Sequence, residues 1–450
     1  MKRWLALVCV LAGYSLNVSA QQPGGLLAPT PPMGWNSWDS YGVTVTEAEF
    51  KANVNWLHQH LQPFGWQYVV VDEGWYLAHP ENADKKGADQ GYVVSPDGLY
   101  LPAPNRFPSS ANDQGLMPLA DYVHSLGLRF GIHIIRGIPK QAVEKDLPIA
   151  GSSYHASEAA DRTDLCRWNP DNFGVKDNPA GQAYYDSMAR LYAGWGVDFL
   201  KVDCISQPYD APEIHMVSAA LRKSGRPIVL SLSPGPTPLD LAADVRQFAQ
   251  MWRISDDMWD LWSKKPDEGP FPQSLKNQFG LIRQWSPYVE PGHWPDADML
   301  PLGYLGPRPG WGAARQSRFT LGDTRTLLTL WSIARSPLIL GSNLTLMDPQ
   351  IESMVTNPEV IAVDQRSTGN RPFLETADTV IWTALLDNVH LVAVFNLGDS
   401  PATIAQPWRA LGLDKTSYRV RDLWQREELG NQPSLRVSVP AHGSYLLGLR

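Results

Sequence analysis

Short runs of consecutive apolar residues recur between about residues 28 and 345, each followed by a stretch whose apolar positions return every three or four residues. Runs of the first kind suit strands buried on both faces, and stretches of the second suit helices that lay one side on a core. Strands are predicted over 33–38, 68–75, 129–135, 198–205, 228–233, 251–255, 294–300 and 337–341. Helical spacing is clearest over 47–61, 117–126, 181–195 and 323–334. Strand and helix alternating in this way build a parallel sheet, and eight such units predict a (β/α)8 TIM barrel.

After about residue 368 the pattern shortens to alternating strands, over 379–385, 389–395, 435–439 and 444–449, with Asp387-Asn388 as a hairpin turn between the first two. That predicts a C-terminal antiparallel β-sandwich. The expected organisation is therefore a catalytic barrel over 25–367 and a sandwich over 368–450. The first twenty residues form a separate unit. Lys2 and Arg3 precede an apolar run from Trp4 to Gly13, and Val18-Ser19-Ala20 supplies small groups at a cleavage site, the pattern of a signal peptide. Export to the periplasm or medium is expected, and no membrane span, because no apolar run reaches about eighteen residues.

The apolar strands end abruptly in acids. Tyr68-Val69-Val70-Val71 runs into Asp72-Glu73, Leu200-Lys201-Val202 into Asp203, and Trp252-Arg253-Ile254-Ser255 into Asp256-Asp257. In a barrel of this kind the chemistry sits at the C-terminal strand ends, so these acids become candidates before any likeness is considered. Lys201 and Asp203 lie two apart on a strand, leave the same face, and predict a pair in which an ammonium favours an ionised carboxylate. Taken alone, Lys-x-Asp is more often a structural ion pair, and two adjacent Asp more often a helix N-cap and its neighbour.

Composition narrows the classes. A net charge of -8 with no run of Lys and Arg speaks against a nucleic-acid partner. Without the leader, only Cys166 and Cys204 remain, an even pair that leaves one disulfide or two buried thiols open. His58-Gln59-His60 has a metal-ligand spacing, but on a helix residues two apart face different ways, so no metal or other cofactor is expected. Of the 18 Trp, most are read as core, and some as platforms for sugar rings.

Five motifs in order resemble one family. Met33-Gly34-Trp35-Asn36-Ser37-Trp38, Val71-Asp72-Glu73-Gly74-Trp75, Lys201-Val202-Asp203-Cys204, Trp252-Arg253 through Asp257, and Trp294-Pro295-Asp296-Ala297-Asp298-Met299 are similar to signatures of glycoside hydrolase family 27, the α-galactosidases and α-N-acetylgalactosaminidases. The likeness spans nearly the whole chain after the leader. It implies a retaining exo-glycosidase that removes terminal α-D-galactosyl residues through a covalent glycosyl-enzyme, a reaction needing two carboxyl groups roughly 5 to 5.5 Å apart. By position it implies Asp203 as nucleophile and Asp257 as acid/base, with Asp256 the near competitor. It further implies Trp38, Asp72, Glu73, Lys201, Arg253 and Asp298 as sugar contacts, Met299 and His133 as weaker wall residues, and a Cys166–Cys204 disulfide beside Asp203.

Two departures bear on the substrate. Many members carry Asp where this chain has Glu73, and one extra methylene carries the carboxylate about 1.5 Å deeper. That crowds the C6 hydroxymethyl of galactose and favours L-arabinopyranose, which lacks it. The segment Ser231-Leu232-Ser233-Pro234-Gly235-Pro236 has small groups that leave room for a C2 substituent, as an α-N-acetylgalactosaminidase requires. Galactose ranks first, a β-L-arabinopyranosidase second, N-acetylgalactosamine third. From a different class, an exported carbohydrate-binding protein without catalysis remains a rival, since the same acids and aromatics hold sugars without cutting them.

Overall fold

The computed structural model describes residues 25–450 except 84, 86–87, 170, 266, 270 and 307–312. The predicted leader at 1–20 lies outside the described residues. Eight parallel strands form one curled sheet: β1 Met33–Asn36, β2 Tyr68–Val71, β3 Arg129–Ile135, β4 Phe199–Asp203, β5 Val229–Leu232, β6 Met251–Arg253, β7 Trp294–Asp296 and β8 Leu338–Leu340. Their order is β7-β6-β5-β4-β3-β2-β1-β8, and a bridge from Leu300 to Leu340 closes the seam. This is the expected barrel. Most strands are shorter than predicted, because the chain leaves the sheet where the apolar run gives way to polar residues. β2 stops at Val71, ahead of Asp72, and β1 at Asn36, after which Trp38–Tyr41 coils into a single helical turn.

The outer helices include α1 Glu47–His60, α2 Met117–Ser125, α3 Pro179–Trp195, α4 Ala211–Lys223, α5 Ala242–Phe248, α6 Leu275–Trp285 and α7 Leu321–Ala334. Local chemistry fixes several ends. At α1, Thr46 and Glu49 form a reciprocal capping box. At α3, Asn178 caps Gly181 N, Pro179 occupies the first turn, and Gly196 at φ 86° closes the helix in the left-handed conformation.

The C-terminal part pairs strands antiparallel. Its larger sheet contains β9 Thr368–Glu375, β10 Thr379–Leu386, β11 Val389–Asn396, β13 Tyr418–Asp422, β14 Glu427–Gln432 and β16 Ser444–Leu449, and β12 Ala402–Pro407 with β15 Ser434–Val439 forms the second sheet. Their facing side chains enclose a separate core that includes Ile381, Val392, Ile404, Trp408, Val439 and Leu447. Barrel and sandwich meet over α7, whose sequence Leu-Leu-Thr-Leu-Trp-Ser-Ile-Ala is apolar nearly all round. Such a helix needs neighbours on every side. Trp424 Nε1 donates to Thr329 Oγ1 (2.8 Å), Thr326 Oγ1 to His442 O (2.6 Å), and Asn370 Nδ2 to Ile333 O (2.6 Å). No helix among the described residues is long and apolar enough to cross a membrane.

Candidate active site

The first half of the site is built on β1 to β4. Register places His133 beside Lys201 and Ile135 beside Asp203, so residues from neighbouring strands reach the same rim. Asp72, one residue past β2, is fully buried and has partners on both oxygens. Asn36 Nδ2 donates to Oδ2 (2.7 Å), Lys201 Nζ lies 3.0 Å from that oxygen, and Glu73 N donates to Oδ1 (2.9 Å). Ser37 Oγ accepts from Asp72 N (3.0 Å) and fixes the turn. Burial pushes the Asp72 carboxyl up, but His133, Lys201, the Glu73 amide and Asn36 outweigh it and hold the group well below the usual carboxylate range. Glu73 is half-buried, and its Oε1 accepts from Asn169 Nδ2 (2.7 Å).

Asp203 ends β4. Its Oδ1 accepts from Cys204 N (2.5 Å), and its Oδ2 lies 3.3 Å from His133 Nε2. Cys204 adopts φ 62° and is joined to Cys166 by a disulfide. His133 is buried, 3.3 Å from Asp203 and 4.0 Å from Asp72, with Nδ1 unpartnered. Burial disfavours its charge, but Asp72 and the hydrogen bond to Asp203 prevail and raise its pKa. It therefore sits against two carboxylates.

The second half rises from β6 and β7. Arg253 is fully buried and acts as a fork: Nη2 donates to Asp298 Oδ2 (2.7 Å), and Nη1 lies 3.2 Å from Asp257 Oδ1. Asp298 takes φ 88°, unusual for a residue with a side chain. That conformation is held from several directions, since Met258 N donates to Oδ2 (2.6 Å), Met299 N to Oδ1 (2.7 Å), and Trp331 Nε1 to the Asp298 carbonyl (3.1 Å). Burial, assisted by Asp257 and Asp296, raises the Asp298 pKa against the pull of Arg253. Trp38 and Met299 pack in one apolar cluster with Ile339.

The two halves share one electrostatic field. Lys201, on β4, is raised by Asp72, Asp203 and Asp257 against burial, and Arg253, on β6, by Asp298, Asp257, Asp296 and Asp203. Each cation thus feels both Asp203 and Asp257. Asp256 differs: burial raises it first, then Asp257, and its opposing cations are Arg253 and Lys264.

Asp39, next to Trp38, is a buried acid that the motifs did not single out. Its Oδ2 has no hydrogen-bond partner and abuts the backbone of Gly341, where a Cβ would come within 1.9 Å. Burial, then Asp298 and Asp257, push its pKa well above the ordinary value. The native state therefore keeps a proton that the unfolded chain releases, and stability falls as pH rises from the ordinary carboxylate range toward the native pKa. Asp39→Asn removes that loss. Its melting temperature is expected to exceed the wild type's at neutral pH and to match it below about pH 4. Thermal unfolding at the two pH values checks this, and an unchanged or lowered neutral-pH melting temperature contradicts it.

Of the predicted site residues, the structure groups Asp72, Glu73, His133, Lys201 and Asp203 on one flank and Arg253, Asp257, Asp298 and Met299 on the other, with Trp38 packed against the apolar cluster that holds Met299. One expectation changes. The carboxylate within salt-bridge distance of Lys201 is that of Asp72, just past β2, while the near neighbour of Asp203 is His133. The His58-x-His60 pair is split: His58 meets Gln62 (2.5 Å) and His60 meets Glu352 (2.9 Å). Asn36 and Ser37 stood in plain sight inside the first motif, whereas Asn169 carried no signal in the sequence.

Comparison with known proteins follows the same outline. A family model described as alpha galactosidase A matches residues 171–366, and one described as the alpha galactosidase C-terminal beta sandwich domain matches 376–449. Alpha-galactosidase A of Cellvibrio japonicus is 27% identical over 473 residues, spanning 99% of this chain and 97% of the relative. A family 27 β-L-arabinopyranosidase from Geobacillus stearothermophilus superposes with a TM-score of 0.87 at 43% identity, covering 94% of this chain and 96% of that one. The chain belongs to glycoside hydrolase family 27. The family 27 frame also superposes on alpha-galactosidase I from Mortierella vinacea, with a TM-score of 0.72 and 27% identity over 94% of this chain and 97% of that one.

Proposed function

We propose that this family 27 protein is a retaining exo-glycosidase that releases terminal α-D-galactosyl residues. The observation that carries the reading is a pair of acids at barrel strand ends: Asp203 closes β4, 3.3 Å from His133, and Asp257 stands just past β6, 3.2 Å from Arg253. In this reading Asp203 attacks the anomeric carbon while Asp257 protonates the departing glycosidic oxygen, giving a glycosyl ester on Asp203 and a free alcohol. Asp257, now a carboxylate, takes a proton from water, whose oxygen opens the ester and restores both groups. His133 beside Asp203 orients its carboxylate. Asp72, Glu73 and Lys201 accept from and donate to the sugar hydroxyls, Arg253 and Asp298 set the acid/base, and Trp38 with Met299 offers an apolar wall. Catalysis is assigned to residues 25–367, with 368–450 bracing the barrel, and residues 1–20 to export.

A second reading is a β-L-arabinopyranosidase, favoured by Glu73. Asn169 holds its carboxylate, so the longer side chain is fixed by a partner, and the 43% identical neighbour carries that activity in its name. Purified enzyme assayed on nitrophenyl α-D-galactoside and nitrophenyl β-L-arabinopyranoside decides between them, and inactivity on both sinks both readings. Glu73→Asp is expected to raise the galactoside-to-arabinoside ratio of kcat/KM by about 10- to 100-fold, the scale on which one methylene acts in a fitted pocket. An unmoved ratio removes Glu73 from specificity.

A further inference from the structure

Behind Asp203 lies a charge cluster centred on the buried side chains of Arg136 and Glu213. Arg136, the residue after β3, donates from Nε to the carbonyl of Cys204 (2.7 Å), and its backbone N donates to the carbonyl of Asp203 (3.1 Å). Its Nη1 and Nη2 donate to the two oxygens of Asp164 (2.7 Å each), and Nη1 also donates to Glu213 Oε1 (2.6 Å). Glu213, on α4, is fully buried and further satisfied by Val175 N (2.8 Å) and the Tyr185 hydroxyl. Asn172 Nδ2 donates to the carbonyls of both Ile135 (3.1 Å) and Arg136 (2.9 Å), so the guanidinium springs from a fixed backbone.

Asp164, Asp210 and Glu213 present ligand atoms within 4.8 Å of one another, a grouping that suggests a cation site. The cation is already supplied. Arg136 Nη1 lies 2.7, 3.7 and 2.6 Å from the three carboxylates.

The connectivity gives the cluster its meaning. Asp164 stands two residues before Cys166, and Cys204 directly follows Asp203. The Arg136 fork therefore joins the same two chain segments that the Cys166–Cys204 disulfide joins. One link is covalent and the other ionic, and they run in parallel. Both end on Cys204, whose φ of 62° leaves it in a conformation that side chains disfavour and that its surroundings must impose.

We propose that Arg136 is a positioning residue for Asp203: its link through Asp164 and Cys204 duplicates the disulfide, so the nucleophile's carboxylate stays aligned when the disulfide is reduced. The proposal rests on Asp203 being the nucleophile.

The test uses the enzyme without its leader, as wild type, Arg136→Lys and Asp164→Asn, each oxidised and after reduction by a phosphine. Lys keeps the charge without the fork, and Asp164→Asn weakens the link from its solvent-reaching side in case Arg136→Lys fails to fold. The readouts are kcat, KM, the galactose inhibition constant and the rate at which an activated fluoroglycoside labels residue 203. Wild type is expected to keep kcat and labelling within about twofold on reduction, and each oxidised variant to lose only modestly. A reduced variant is expected to fall about tenfold or more below the product of the two separate losses, with the inhibition constant unchanged. Losses that merely multiply, or a wild type that loses its labelling rate on reduction alone, overturn the duplication. An Asp203→Ala control that still labels at the native rate instead removes the nucleophile assignment, a failure distinct from that of the clamp.

Discussion

Asp203→Ala is expected to lose turnover on α-galactosides by on the order of 10⁴-fold or more, the range in which removal of a catalytic nucleophile falls. The loss should appear in kcat, because Asp72 and Lys201, the proposed sugar contacts, do not depend on this carboxylate for their own pairing. If Asp203 is the nucleophile, truncation opens a space on the face from which it attacks, and a small anion fits there. With an activated dinitrophenyl α-galactoside, added azide is expected to restore turnover and to yield the β-galactosyl azide, since one displacement replaces two and configuration inverts. The product's anomeric coupling constant in proton NMR reads this directly. Native-rate hydrolysis by the variant, or rescue giving the α-azide, would sink the assignment.

Asp257→Ala should fail differently. A poor leaving group needs its oxygen protonated as the bond breaks, so kcat/KM on unactivated galactosides is expected to drop by about 10²- to 10⁴-fold. A dinitrophenolate leaves without that proton, and its glycosylation step is expected to survive largely intact, leaving a glycosyl-enzyme that water opens slowly. Azide then accelerates turnover and gives the α-azide, the opposite anomer from the Asp203 variant. Asp256→Ala is the control. Asp257 is felt by Lys201, Arg253, Asp298 and Asp39, whereas the charges that act on Asp256 are Asp257, Arg253 and Lys264. Should Asp256→Ala show the leaving-group dependence and Asp257→Ala not, the two roles are exchanged.

How far these residues could be read from the sequence follows from what each one depends on. The barrel strands were legible because burial on both faces makes a run such as Tyr68-Val69-Val70-Val71 apolar without interruption, and because the chemistry begins where that run stops. Which charge meets which was not legible. Lys201 and Asp203 do leave one face of β4, yet the ammonium pairs with Asp72 across β3, since strands β2 to β4 converge at the rim and proximity there outruns proximity in sequence. Helices α4, α5 and α6 were not singled out, and neither were several sandwich strands. β14, with the sequence Glu-Glu-Leu-Gly-Asn-Gln, is exposed nearly throughout and has no apolar face to betray it. Arg136 follows the predicted strand 129–135 with no motif around it, and only the folded chain shows it between Asp164, Glu213 and Cys204.

Helix α7 has a consequence for how this architecture can change. Trp331 steadies Asp298 on one side while Thr329 meets Trp424 and Ser444 on the other. A single helix thus carries the fit of the catalytic ring and of the terminal module together. Exchanging that module for one from a distant relative therefore disturbs the setting of Asp298 as well, and a graft that ignores α7 trades a matched seam for strain at the rim of the barrel.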